Sequence, residues 1–283
     1  MGFVESIEVE IKPSLSLGAD LYLSEEASES DRVAIVCHGF TAYRRYMFLP
    51  FIGEALATNG IPALLIDFSR VGVDSETGEF SDLEGFSRNT FENARIELVE
   101  CIEAICSKNA LASFGLTPSQ VVLMGHSHGG VSVLGAAADS SVSQYVSSVS
   151  VWSTPSDIFP SRFGATDEQI AFWRENGEIP YPVERLGIEV PLKLEVLEDM
   201  ESDPTRVEKF VRKISCPLQI IHGENDERIP LDCGKNLSGW ATESELLVIS
   251  GADHVFNVKF PKSEPTPEVK EATKKLVDFL TRV

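Results

Sequence analysis

Gly125-His126-Ser127-His128-Gly129 follows the apolar run Gln120-Val121-Val122-Leu123-Met124 and precedes Gly130-Val131-Ser132-Val133-Leu134-Gly135-Ala136-Ala137-Ala138. The first run reads as a buried strand, and the last, rich in small residues, as a close-packed helix. Strand, Gly-x-Ser-x-Gly and helix together make a nucleophile elbow, with the serine at the tip of a sharp turn. Such a turn leaves no room for side chains beside the serine, which is why glycine flanks it. The helix N-terminus beneath Ser127 favours a negative charge developing there. A bare Gly-x-Ser-x-Gly can be a mere structural turn; its flanking elements make Ser127 a candidate nucleophile.

In this architecture an acid and then a histidine follow the serine along the chain. The chain has five histidines, and only His222 and His254 lie beyond the elbow. His254 stands in Gly251-Ala252-Asp253-His254, after the apolar run Leu246–Ile249. A loop at the carboxyl end of a strand can carry an imidazole to Ser127. His222 closes another apolar run, Pro217–Ile221, ahead of Gly223-Glu224-Asn225-Asp226. Asp226 is the candidate acid, which must hold the imidazole tautomer and stabilise the imidazolium. Taken alone, Asp226 reads as a turn former and His254 as an ordinary structural histidine; their order after Ser127 raises both. Asp157, after the apolar run Val146–Trp152, is the rival acid, and Asp253 is set aside because neighbours on a turn seldom face each other.

An oxyanion must also be held. Arg32–Cys37 reads as a buried strand, and His38-Gly39-Phe40-Thr41 as the sharp turn after it. The backbone N–H groups of Phe40 and His128 are the candidate oxyanion donors. The His38 side chain reads as a turn support, His126 as packing under the elbow, and His128 as facing the pocket mouth.

These motifs resemble the α/β-hydrolase superfamily, specifically its esterases and serine peptidases that carry a cap between the sixth and seventh core strands. His38-Gly39-Phe40-Thr41 is similar to the oxyanion turn of cinnamoyl-esterase-like members, and Gly125–Gly130 to their elbow. His222–Asp226 with Ile229-Pro230 resembles their acid loop, and Gly251–His254 their histidine loop. The resemblance implies an α/β fold over residues 1–283: a mostly parallel central sheet, helices on both faces, and a cap inserted after the sixth core strand. Two positions depart from the pattern. Val71 stands where relatives usually show histidine, and His128 where glutamine, methionine or leucine is commoner.

The remaining sequence agrees. At 283 residues and 43% hydrophobic content, one α/β domain can fill a core on both faces of a sheet. Phe3–Ile11 and Ala19–Leu23 alternate polar and apolar, as in an antiparallel edge hairpin. A helix near Leu49–Thr58, a strand at Ile61–Asp67 and a long helix near Thr90–Lys108 follow. The β/α alternation then breaks over residues 155–214. This stretch is too long for a bare loop and reads as the cap, with Phe172 and Trp173 expected to help wall an apolar pocket. Each of these rings could instead simply hold the cap together.

The chain has 24 basic and 44 acidic residues, a net charge of −20. That field repels phosphate backbones and anionic lipid. It argues against nucleic-acid and membrane partners and for a neutral small-molecule ester; a homo-oligomer is left open. Five cysteines without a C-x-x-C pattern, and no signal-peptide or membrane-spanning run, point to free thiols in the cytoplasm. Met1-Gly2-Phe3-Val4-Glu5-Ser6 fits a myristoylation pattern, but overlaps the expected first strand. No metal cluster or dinucleotide fingerprint appears, and the chemistry needs no cofactor. The expected enzyme is a serine carboxylesterase for small neutral esters. An amidase or small-peptide peptidase using acidic cap residues such as Glu168 or Glu175 is the second reading, and a non-catalytic binding module the third.

Overall fold

The computed structural model describes residues 3–25, 30–261 and 264–283. Met1 and Gly2 of the acylation-like pattern therefore lie outside the described residues. Strands β1 (Phe3–Lys12) and β2 (Leu15–Leu23) form the expected antiparallel edge hairpin. Then follow β3 (Arg32–Cys37), α1 (Leu49–Thr58), β4 (Ala63–Ile66), the short α2 (Leu83–Ser87), α3 (Phe91–Lys108), β5 (Gln120–His126), α4 (His128–Ala137) and β6 (Val146–Trp152). After the stretch between β6 and residue 218 come β9 (Leu218–Gly223), α8 (Leu231–Trp240), β10 (Ser244–Ile249) and α9 (Pro267–Leu280).

These strands make one eight-stranded sheet in the order β1-β2-β4-β3-β5-β6-β9-β10. From β4 to β10 all pairings are parallel, so the sheet must be covered on both faces. The period of two shows how. In β3, Val33, Ile35 and Cys37 face one apolar layer with Leu98, Ile102 and Ile105 of α3 and Val131 and Leu134 of α4. Ala34 and Val36 face the other layer, with Ile52 and Leu56 of α1 and Ala272 and Leu276 of α9. The small residues of α4, all buried, let it sit close against the strands. Thr90 caps α3, its hydroxyl accepting from the Asn93 N–H at 3.1 Å, which stabilises the helix by about 1 kcal/mol.

Between β6 and β9 the chain builds α5 (Asp167–Asn176), the antiparallel hairpin of β7 (Glu178–Val183) and β8 (Ile188–Lys193), α6 (Leu194–Ser202) and α7 (Arg206–Val211). The Ile158 N–H donates to the Pro204 carbonyl at 2.9 Å, so this excursion closes on itself at its base. Among the described residues, no helix is long and apolar enough to cross a membrane. All five cysteines are unpaired.

Candidate active site

Ser127 joins β5 to α4 with φ 54° and ψ −119°, a conformation costly for a residue with a side chain. Its backbone N–H donates to the Trp152 carbonyl at 2.9 Å, which ties the turn to the end of β6. Glycine is required around it. A Cβ on Gly125 would collide with the Gly129 carbonyl, and one on Gly129 would lie 2.5 Å from the His38 oxygen and 2.6 Å from that of Cys37. The turn at residues 125–129 and the turn after β3 therefore touch backbone to backbone.

The carboxyl ends of β5, β9 and β10 open on the same edge of the sheet, as parallel pairing requires. His254 Nε2 stands 3.1 Å from Ser127 Oγ, and His254 Nδ1 stands 2.9 Å from Asp226 Oδ2. The other Asp226 oxygen accepts from the Arg228 and Ile229 N–H groups at 3.0 and 2.8 Å. Burial pushes the Asp226 carboxyl up, but the His254 hydrogen bond and charge and the Ile229 N–H outweigh it and hold it below the ordinary carboxylate value. The rival acids are engaged elsewhere. Asp157 receives Arg162 Nη2 at 2.6 Å, and Asp253 caps its own turn through the Val255 and Asn257 N–H groups at 2.9 and 2.7 Å.

Three more histidines brace these loops. His126 Nε2 lies 2.9 Å from the His254 carbonyl. His222, fully buried behind the acid loop, donates from Nε2 to the Ile229 carbonyl at 2.7 Å. His38 donates from Nδ1 to the Gly39 carbonyl at 2.8 Å, and its Nε2 accepts from Phe68 N–H at 3.4 Å. Burial lowers the pKa of all three, to about 3 for His126.

The N–H groups of Phe40 and His128 donate to no other group among the described residues, as a pair of oxyanion donors would require. The His128 ring stacks on Phe91 at 4.3 Å and stands 5.7 Å from Phe40. It is buried, its Nε2 is without a partner, and burial lowers its pKa to about 3. Of the two aromatics expected at the pocket, Phe172 is half exposed on α5 and Trp173 is buried in the core. The reason is helical geometry: consecutive residues on α5 point to different faces, and only one can face inward. The rings that meet Phe40 are Phe86 at 5.1 Å and Tyr181 of β7 at 5.3 Å, while Phe163 meets Phe91 at 5.7 Å. Tyr181 and Phe163 could have been found in the aromatic content of residues 155–214; nothing marked Phe86, in a helix of five residues. Glu168 and Glu175 lie exposed on α5. Among the described residues no cluster of His, Cys, Asp or Glu is arranged to hold a metal.

No protein-family model matches the sequence, and no curated protein is similar enough to match it. Solved structures do match. Est1E from Butyrivibrio proteoclasticus superposes with a TM-score of 0.72 at 21% identity, covering 98% of each chain. Its structure with ferulic acid bound gives 0.71 at 20% identity, again over 98% of each chain. The esterase domain of a Rhodothermus marinus protein gives 0.64 at 22% identity, over 99% of this chain and 98% of that one. This chain has the α/β-hydrolase fold. The excursion after β6 leaves from the edge where α/β sheets bind ligands.

Proposed function

We propose that this α/β-hydrolase-fold protein is a serine hydrolase that cleaves small carboxylic esters with a short acyl or aryl acid. The observation that carries the reading is His254, whose ring nitrogens lie within hydrogen-bond reach of Ser127 on one side and Asp226 on the other. Ser127 Oγ attacks the ester carbonyl as His254 Nε2 takes its proton. Asp226 holds the Nδ1 proton and stabilises the imidazolium. The N–H groups of Phe40 and His128 receive the oxyanion. The tetrahedral intermediate collapses as His254 returns the proton to the leaving alcohol, and water then releases the acid by the same steps in reverse. The excursion between β6 and β9 serves as a cap, with Tyr181 and Phe163 on its inner side. The ferulic acid bound to Est1E supports an aryl acid as one acyl class. Five unpaired cysteines support a reducing, cytoplasmic setting.

The test is fluorophosphonate labelling followed by a panel of nitrophenyl esters and aminoacyl amides. Ser127→Ala abolishes labelling and lowers ester hydrolysis by ~10⁴-fold or more with the fold intact. Undiminished labelling of that variant would overturn the reading; faster turnover of the amides would make the protein a peptidase.

A further inference from the structure

Arg185, in the turn at residues 184–186 between β7 and β8, is the exception among the arginines. Every other one reaches a carboxylate or, for Arg32, the carbonyls of Leu280 and Val283. Arg185 makes no hydrogen bond or ion pair among the described residues, and its Nε and Nη2 are buried without a partner. Its guanidinium carbon instead lies over three rings: Tyr46 at 5.2 Å, Phe260 at 5.8 Å and Phe80 at 5.9 Å.

Those rings place it. Tyr46 belongs to the loop after the oxyanion turn, and Phe260 to the loop that carries His254. Phe80 packs on Phe86 at 4.9 Å, which packs on Phe40 at 5.1 Å. Glu184, next to Arg185, pairs with Arg228 at 3.0 Å, and the Arg228 N–H donates to Asp226 at 3.0 Å. The guanidinium therefore sits among the loops that carry the base, the acid and the oxyanion turn.

Cation–π contact satisfies the faces of a guanidinium and leaves its edges unmet. Nε–H and Nη2–H share one edge, a fork that matches the two oxygens of a carboxylate. Burying such donors unmet is costly. The chain has 44 acidic residues against 24 basic, yet among the described residues none pairs with Arg185. Glu184 is taken by Arg228, and burial keeps the Tyr43 and Tyr46 phenols protonated.

We propose that Arg185 recognises a carboxylate on the substrate, so that the preferred substrate is an ester bearing a second, free carboxylate. This rests on the serine-esterase reading and narrows it. It also departs from the neutral ester favoured by net charge alone, because the long-range field is screened within about 8 Å at physiological salt whereas a contact with an unpaired, desolvated cation is not. To expose the fork, the 184–186 turn lifts from the rings. The Glu184–Arg228 pair that tethers it is largely solvent-exposed and yields easily.

The experiment compares kcat/KM on matched esters: nitrophenyl hydrogen glutarate against nitrophenyl hexanoate, and carboxyphenyl acetate against methylphenyl acetate. The first pair puts the carboxylate on the acyl side, the second on the alcohol side. In at least one pair the native enzyme favours the carboxylate-bearing ester by about 10- to 100-fold, and Arg185→Gln brings that ratio close to one. Arg185→Lys, which keeps the charge without the fork, retains only part of it. A ratio near one in the native enzyme for both pairs, or a ratio unmoved by Arg185→Gln, would overturn the proposal; loss of both activities together at constant ratio would make Arg185 a clamp for the cap. Calorimetry on Ser127→Ala protein gives a second measurement, free of turnover and of any folding defect in the Arg185 variants. It must show binding of at least one carboxylate-bearing ester tighter than its neutral partner; equal binding within both pairs likewise overturns the proposal. Selective binding without hydrolysis by the native enzyme would overturn the esterase reading and leave the Arg185 site standing.

Discussion

The Nε2 of His126 lies 2.9 Å from the carbonyl oxygen of His254, and the two rings stand 5.0 Å apart. The residue immediately before Ser127 thus holds the backbone of His254. Burial lowers the His126 pKa to about 3, so at neutral pH the ring is uncharged and donates its Nε2 proton to that carbonyl. The bond fixes where His254 stands and uses neither the Ser127 hydroxyl nor the His254 ring.

His126→Phe keeps a ring in that space and removes the donor. The His254 loop then loses one positional restraint, and kcat on a nitrophenyl ester falls by about 10- to 100-fold with little change in KM. An unchanged kcat would show that the rest of the loop holds His254 unaided.

Asp226→Asn lowers kcat by about 10³- to 10⁴-fold, since an amide can hold the imidazole in the wrong tautomer and cannot stabilise its charge. Asp157→Asn changes kcat by less than about tenfold, because Asp157 faces Arg162 at 2.6 Å. Steady-state kinetics on the two variants decides between them, and the reverse ranking would move the acid to Asp157.

Acid weakens the fold through its buried histidines. His126 and His128 are lowered from 6.5 to about 3. Between those values the unfolded chain binds more protons than the folded one, so stability falls as pH drops through that window. Each histidine contributes at most ~1.4 kcal/mol per pH unit. Asp226 adds to the loss at lower pH, since its folded pKa is depressed. Urea unfolding from neutral pH to about pH 4 measures the slope, and His128→Phe makes it shallower. An equal slope in that variant would show that His128 takes up its proton inside the folded protein.

Gly129→Ala sets a methyl against the His38 and Cys37 carbonyls, so it costs about 1–3 kcal/mol and lowers activity with it by displacing the turn after β3. Gly239→Ala is the contrast. It lies in α8 with nothing within 4 Å of an added Cβ, and raises stability by about 0.5–1 kcal/mol. Thermal melts of both variants, read beside ester hydrolysis, test the pair.

The strands and the elbow were legible because their signals are local. Val146–Trp152 is read from an apolar run alone, and β6 has the same bounds. Asp226 and His254 are read from chain order, and the interval of 28 positions from one to the other holds α8 and β10, as two adjacent parallel strands require. The packing of residues 155–214 was less legible. Composition shows that residues 155–214 carry aromatics, but not which face of α5 turns inward, nor that Tyr181 meets Phe40 and Phe163 meets Phe91. Arg185 gave no signal, because an arginine without a partner looks like any other until its neighbours are known. Nor did composition show that His126 reaches the His254 carbonyl, a contact across 128 positions.

The hydrogen bond from Ile158 to Pro204 brings the two ends of residues 159–203 together. The chain leaves and returns at one point, so a short turn could bridge the gap without cutting any sheet strand or any of Ser127, Asp226 and His254. Selection could therefore exchange this piece wholesale while the sheet and those three residues are inherited unchanged. Grafting a foreign excursion between Ile158 and Pro204 is the laboratory form of the same exchange.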